Sequence, residues 1–261
     1  MTADAPKPDG RDERVAVVTG AGTGIGAATA RLFAEKGLAV VLVGRRSGLL
    51  DEVSGSIREA GGRAHVVSAD VSEAATPARI VEETLEAFGG LDVLVNNAAT
   101  IKVGPVESYS LEDIDVHLAT NVRAIFLLVQ ASLPALRRSD CAAVVNVSST
   151  VGSVVKPGNS LYGMTKAAVE YLSRSLAFEL APDRIRVNCL ASGSVKTPIH
   201  LIWAGSIENA ERDLVPRIPL NRMAEPEEMA YWMYQLVAPQ TSWATGEVFH
   251  IDGGQALGSP E

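Results

Sequence analysis

Seven short apolar runs punctuate the chain, and between them apolar positions recur at helical spacing. The runs cover residues 15–18, 39–43, 64–67, 91–95, 142–147, 185–190 and 247–251. They are rich in valine and mostly continuous rather than alternating, which suits strands covered on both faces in a parallel sheet. The intervening segments place Ala28, Leu32 and Phe33, or Ile80, Thr84, Leu85 and Phe88, on one helical face. They stop near Gly37 and Gly89-Gly90, where glycine ends a helix readily. Strands alternating with helices predict a doubly wound α/β sheet of seven parallel strands, with right-handed crossovers placing helices on both faces. No linker, repeat or charge block interrupts residues 14–261, so one domain is expected there. Residues 1–13 are polar and contain Pro6 and Pro8. They read as a loose arm without the apolar stretch of a secretory signal.

One segment breaks the rhythm. Residues 196–220 carry Pro198, Pro216 and Pro219 beside an apolar cluster of Ile199, Leu201, Ile202 and Trp203. A long irregular segment in a compact domain is usually functional, and a substrate lid is the expectation. The alternative is a surface excursion that packs on the core or on a partner subunit.

Composition narrows the class. The 261 residues are 47% apolar and 21% charged, as in a soluble globular protein. No apolar run approaches the length that spans a bilayer. The formal charge of −8 favours neither nucleic acid nor an anionic membrane, and a cytoplasmic location is expected. Cys141 and Cys189 lie in apolar runs and read as buried core thiols, without disulfide or metal spacing. His65, His117, His200 and His250 are scattered, so no metal is expected. His65 and His250 read as packing residues in strands, and for His200, in the 196–220 segment, a substrate contact is the lesser of two readings.

The first apolar run ends in Thr19-Gly-Ala-Gly-Thr-Gly-Ile-Gly26 and continues directly into a helix. Glycines let the backbone turn tightly and approach a pyrophosphate, and the helix N-terminus offers free N–H groups and a partial positive charge. This loop resembles the cofactor loop of the short-chain dehydrogenase/reductase family. The resemblance continues through Asp70-Val71, Asn96-Asn97-Ala98-Ala99, Asn121, Ser149, Tyr162, Lys166 and Asp252-Gly253-Gly254. It covers about residues 14–257 and implies a Rossmann-type fold with a nicotinamide cofactor. The implied cofactor contacts are Gly20, Thr23, Gly24, Ile25, Gly26, Asp70, Val71, Asn97, Ala98, Tyr162 and Lys166. On the nicotinamide side the implied contacts are Ser192, Gly193, Val195 and Thr197. Two positions depart from the family pattern. Ala99 replaces a usual glycine and adds a methyl beside the cofactor. Ser192 replaces a usual proline, which restores an N–H donor and removes a fixed φ.

The second run ends at Val43-Gly44-Arg45-Arg46. NAD-selective sites place a carboxylate about twenty positions after the glycine loop, where it binds the ribose 2′-hydroxyl. Gly44 occupies that place here, and arginine pairs with phosphate by charge-assisted hydrogen bonds. The expected cofactor is therefore NADP(H) rather than NAD(H), held by Arg45 and Arg46, with Arg45 the better candidate. The alternative is two solvated loop charges.

Tyr162 and Lys166 stand at i and i+4 of a helical stretch and share a face. Reducing a ketone needs a hydride on carbon and a proton on oxygen. A tyrosine supplies the proton best when a neighbouring ammonium draws its pKa toward neutrality. The resemblance gives Lys166 this role and a hold on the nicotinamide ribose. It implies that Ser149 polarises the substrate oxygen, with Ser148 the adjacent alternative. It also implies that Asn121 holds a helix kink and a proton-relay water. The expected reaction is hydride transfer between NADP(H) and a secondary alcohol or ketone. The substrate wall is expected to include Ser149, Val151, Leu161, Tyr162, Ile199 and Trp203. Without a fixed cation facing it, such a wall suits a fairly apolar substrate, cyclic or polyketide-like. Arg212, Arg217 and Arg222 lie near enough to swing inward. A homotetramer or homodimer is expected, through Ala167, Val169, Tyr171 and Leu172 and the region 243–257. The competing readings are a catalytically silent nucleotide-binding regulator, and an epimerase or dehydratase that works through a transient ketone.

Overall fold

The computed structural model describes residues 13–258. The expected arm lies outside the described residues except for Glu13, which pairs with Arg63. The strands are β1 (Val15–Thr19), β2 (Ala39–Gly44), β3 (Ala64–Ser68), β4 (Val93–Asn96), β5 (Ala143–Ser149), β6 (Arg186–Ser192) and β7 (Val248–Ile251). They form one seven-stranded sheet in the order β3-β2-β1-β4-β5-β6-β7. All neighbours pair in parallel. The helices are α1 (Gly24–Glu35), α2 (Ser47–Glu59), α3 (Thr76–Phe88), α4 (Leu111–Leu118), α5 (Ala124–Leu136), α6 (Ser160–Leu180), α7 (Leu201–Ala204), α8 (Ile207–Leu214) and α9 (Pro226–Val237). This is the single-domain, doubly wound Rossmann-type architecture that the pattern predicts.

The valine runs are continuous because both faces of the central strands are buried. Ala16, Val18, Val40 and Leu42 pack into one apolar layer with side chains of α1, α2 and α9. Their neighbours Val17, Val41 and Val43 pack into a second layer with α3, α5 and α6. A period-2 strand thus feeds two cores at once. A polar ladder crosses the middle of the sheet. Asn96 Nδ2 donates to Asn146 Oδ1 at 2.8 Å, in register across β4 and β5, and Asn146 Nδ2 donates to Ser173 Oγ on α6 at 2.9 Å. At the edge, β7 is only partly covered and His250 is exposed, so it is not the packing residue expected. His65, on the opposite edge strand, stacks edge-on with Phe88 and faces Glu83 at 3.7 Å. Cys189 is fully buried, whereas Cys141, at the mouth of β5, is only partly buried and is not a core thiol.

Three further expectations are corrected. The segment 196–220 is not irregular: it folds into α7 and α8, and its stem is closed by a bridge between Val195 and Ala224. Ser206 caps α8, and Lys196 pairs with Glu211 at 3.2 Å and Glu225 at 2.9 Å across the stem. Proline spacing concealed these short helices. Second, α4 and α5 are joined through a π turn at Ala119–Arg123 into one helix, Leu111–Leu136. By length and composition this helix could cross a membrane, contrary to the reading from separate runs. In this fold Ala124, Leu128, Val129 and Leu136 cover the sheet. Third, Val169 is fully buried in the core and offers nothing to a partner.

Candidate active site

At β1 and β4 the chain reverses its direction of progress across the sheet, and such switch points open a crevice at the carboxyl ends of the strands. A cleft of about 1160 Å³ lies there. One end is walled by the glycine loop, Arg45, Arg46, Asp70 and Val71; the other by Ser149, Val151, Tyr162, Ile199 and Trp203.

The glycine loop is shaped by close approach. Gly20 and Gly24 have positive φ, +67° and +53°. A Cβ on Gly26 would lie 2.2 Å from Gly20 O, so this glycine lets α1 pack against the loop. Gly26 itself does not line the cleft, which corrects its expected role as a contact. Thr23, at the N-cap of α1, makes no side-chain cap, and no acidic residue stands in the first turn. The first N–H groups and the helix dipole therefore remain available to an anion. Thr19 clamps β1 to β4. Its hydroxyl accepts from the N–H groups of Asn97 and Ala98, each at 3.0 Å, and donates to Val95 O at 3.3 Å. Asn97 Nδ2 donates to Thr19 O at 2.9 Å, so its side chain braces the loop. Thr23, Gly24, Ile25, Asn97, Ala98 and Ala99 line the cleft.

At the end of β2, a Cβ on Gly44 would meet only the Leu50 side chain, at 3.4 Å. The Arg45 guanidinium is largely exposed and stands 3.8 Å from Asp70 Oδ2, while Asp70 Oδ1 accepts from Ser72 N and Oγ. This end of the cleft thus combines bare backbone, an open helix N-terminus and two arginines. Those residues fit a dinucleotide.

At the far end, Tyr162 and Lys166 are buried on one face of α6, with the lysine Nζ 5.5 Å from the tyrosine ring centroid. Burial raises the Tyr162 phenol above its ordinary range, and a hydrogen bond with Ser149 opposes this. The expectation that Lys166 draws the phenol toward neutrality is not met. Desolvation dominates, and the ammonium donates to Val147 O at 2.8 Å. Burial also holds Lys166 down to about 8. The two adjacent serines divide their tasks. Ser148 Oγ lies 3.1 Å from Lys166 O and 2.9 Å from Glu170 Oε1, donating to one at a time. Ser149, the next residue, faces the opposite way and meets Tyr162 in the cleft. Buried Glu170 is shared with Ser153 at 2.9 Å, and burial first, with Glu170 adding, pushes the Cys189 thiol up to about 12.

Asn121 sits in the π turn, fully buried and away from the cleft. Its side chain binds Thr100 and Thr165. Leu161 is buried and does not reach the cleft, which corrects its place in the substrate wall. Ser192, Val195 and Thr197 line the cleft. Gly193 does too, and a Cβ there would lie 2.6 Å from Asp252 Cα, which brings β6 against the Asp252-Gly253-Gly254 turn. His200 stacks edge-on with Trp203 at 5.6 Å, and its Nε2 lies 2.8 Å from Val195 O. Among the polar cleft residues that sequence reasoning missed are Lys156 and Gln255. Gln255 Oε1 accepts from Ser194 N and Oγ, each at 3.2 Å, and its buried Nε2 has no partner among the described residues. Neither belongs to a motif, and only the fold brings them here.

Comparisons agree with this geometry. The profile of the family described as enoyl-(acyl carrier protein) reductase matches residues 20–256. A 2,5-dichloro-2,5-cyclohexadiene-1,4-diol dehydrogenase of Sphingobium indicum is 35% identical over 245 residues, covering 94% of this chain and 97% of the relative. A cis-4-hydroxycyclohexanecarboxylate dehydrogenase of Sinomonas cyclohexanicum is 37% identical over 247 residues, covering 93% and 96%. A solved dehydrogenase/reductase of Sinorhizobium meliloti superposes with a TM-score of 0.87 at 34% identity, covering 93% of this chain and 94% of that one. Loop, sheet order and Tyr162–Lys166 helix therefore lead to one conclusion: this chain is an oxidoreductase of the short-chain dehydrogenase/reductase family.

Proposed function

We propose that this protein is a cytoplasmic NADP(H)-dependent ketoreductase, or the corresponding alcohol dehydrogenase, acting on a cyclic and largely apolar substrate. The observation that carries the reading is one cleft that joins an uncapped helix N-terminus and Arg45 at one end to Ser149, Tyr162 and Lys166 at the other. The cyclic substrate draws on the two relatives whose names specify cyclic alcohols.

When bound, the nicotinamide supplies or accepts the hydride. Tyr162 holds the proton. A buried phenol with a raised pKa stays protonated at neutral pH and yields its proton only to a strong base such as a developing alkoxide. The Ser149 hydroxyl, beside that phenol, orients and polarises the substrate oxygen. Lys166, fixed by Val147 O, places a positive charge under the same corner. Asn121 positions α6 through Thr165. Ile199 and Trp203 of the 196–220 segment cover the opening as a lid and exclude water.

The test is a panel of cyclic ketones followed by nicotinamide absorbance, in wild type and Tyr162→Phe. Turnover in wild type should fall by about 10²–10⁴-fold in the variant, with NADPH binding retained. Substantial activity without the hydroxyl removes Tyr162 from the mechanism. Cofactor binding without turnover across the panel favours the silent regulator.

A further inference from the structure

The loop between β5 and α6 sends Lys156 into the cleft that holds Tyr162. Tyr162 lies buried at the floor, and Lys156 is half-buried nearer the opening. The same cleft is also lined by Val103, Val151, Val154, Ile199 and Leu214, whose side chains offer an ammonium no hydrogen bonds. Two carboxylates act on it electrostatically, Asp213 and Asp252, but neither forms an ion pair with it and each has hydrogen-bond donors of its own. Asp213 accepts from Arg217 Nη2 at 2.9 Å. Asp252 accepts from the N–H groups of Gly254 at 2.9 Å and Ala256 at 2.8 Å. Arg217, the other cation facing this side, is thereby matched. Among the described residues, Lys156 has no ion pair. A half-desolvated ammonium without a partner is costly, and its cost is relieved when an anion arrives.

We propose that the substrate carries a carboxylate remote from its reacting oxygen, and that Lys156 is the specificity-determining residue that binds it. This rests on the reading of the cleft as a carbonyl and alcohol site. It departs from the sequence-based expectation that no fixed cation faces the substrate. Burial, with the Arg217 charge adding to it, holds the Lys156 ammonium below its ordinary range, as expected of a cation awaiting a counter-charge. One lysine offers one positive charge, which matches a carboxylate better than a doubly charged phosphate. The apolar wall around it receives the ring.

Binding is read first, by calorimetry on the NADPH-loaded full chain. Cyclohexanecarboxylate is the probe and cyclohexanecarboxamide its neutral match. Wild type should prefer the carboxylate by about tenfold or more. Lys156→Met should erase the preference and Lys156→Arg should keep most of it. Turnover is read second, with 4-oxocyclohexanecarboxylate against its methyl ester. The ratio of their kcat/KM values should fall by about tenfold in Lys156→Met, through KM. Equal binding of the two probes by wild type, or a preference that survives Lys156→Met, overturns the assignment. So does equal loss in both variants, which marks a structural role. A probe preference that follows Lys156 without turnover of any ketone leaves the assignment standing and removes the ketoreductase reading instead.

Discussion

Asn121 donates from Nδ2 to Thr165 Oγ1 at 3.0 Å, tying the π turn to the helix that carries Tyr162 and Lys166. Thr165 passes the constraint on by donating to Tyr162 O at 2.8 Å. Asn121 also exchanges hydrogen bonds with Thr100, accepting from its N–H at 2.9 Å and donating to its carbonyl at 3.0 Å. Replacing it with alanine strands buried groups on two elements at once. Asn121→Ala should lower stability by about 2–3 kcal/mol, with a further loss in kcat as α6 loosens. Denaturant unfolding and steady-state kinetics check both. An unchanged midpoint would mean that the π turn is held by packing alone.

Cofactor choice turns on Gly44 and Arg45. A side chain at 44 meets only Leu50, at ordinary contact distance, so Gly44→Asp is sterically mild. Combined with Arg45→Leu, it adds an acceptor for a ribose hydroxyl and removes a phosphate partner. The ratio of kcat/KM for NADPH over NADH should fall by about tenfold or more. A wild type that already prefers NADH would refute the reading of β2.

Lys166 makes stability depend on pH. Its ammonium is held down to about 8 by burial, against an ordinary value of 10.5. Below pH 8 both folded and unfolded chains bind the proton, and the burial penalty is fully present. Between 8 and 10.5 the folded chain releases it first, so the penalty shrinks as pH rises. Wild type should therefore gain stability relative to Lys166→Met across that window, by on the order of 3 kcal/mol. Denaturant midpoints of the two proteins, measured on either side of pH 8, test this. A difference that does not change with pH would show a lysine that titrates normally.

Assembly should use the outer face of α6. Met164, Tyr171 and Phe178 follow one another at seven-residue intervals and are 49%, 71% and 87% exposed, with Phe126 of α5 also half-exposed. Contiguous exposed apolar residues of this kind mark interfaces. We expect a homotetramer or dimer with an isologous contact here. Phe178→Glu should yield a smaller species by light scattering, and a monomeric wild type at micromolar concentration would exclude the interface.

The sequence by itself determined the layered architecture and the pairing of Tyr162 with Lys166. Continuous valine runs report that both sides of a strand are covered, and two cores follow whatever the neighbours are. Tyr162 and Lys166 were legible for a similar reason, since i and i+4 meet on any helix. Tertiary structure decided what depends on distant segments. Ser148 turns to Glu170 and Ser149 to Tyr162 because β5 is pleated between α6 and the cleft. Gly26 proved a packing contact because Gly20 O lies against it, and Leu161 turned into the interior one position before Tyr162. Lys156 entered the cleft, beside Asp252 and Arg217, because the β5–α6 loop, the stem of 196–220 and the end of β7 converge. Periodicity records how many faces an element buries; which remote side chain arrives at a face is settled only when strand order and crossovers bring the segments together.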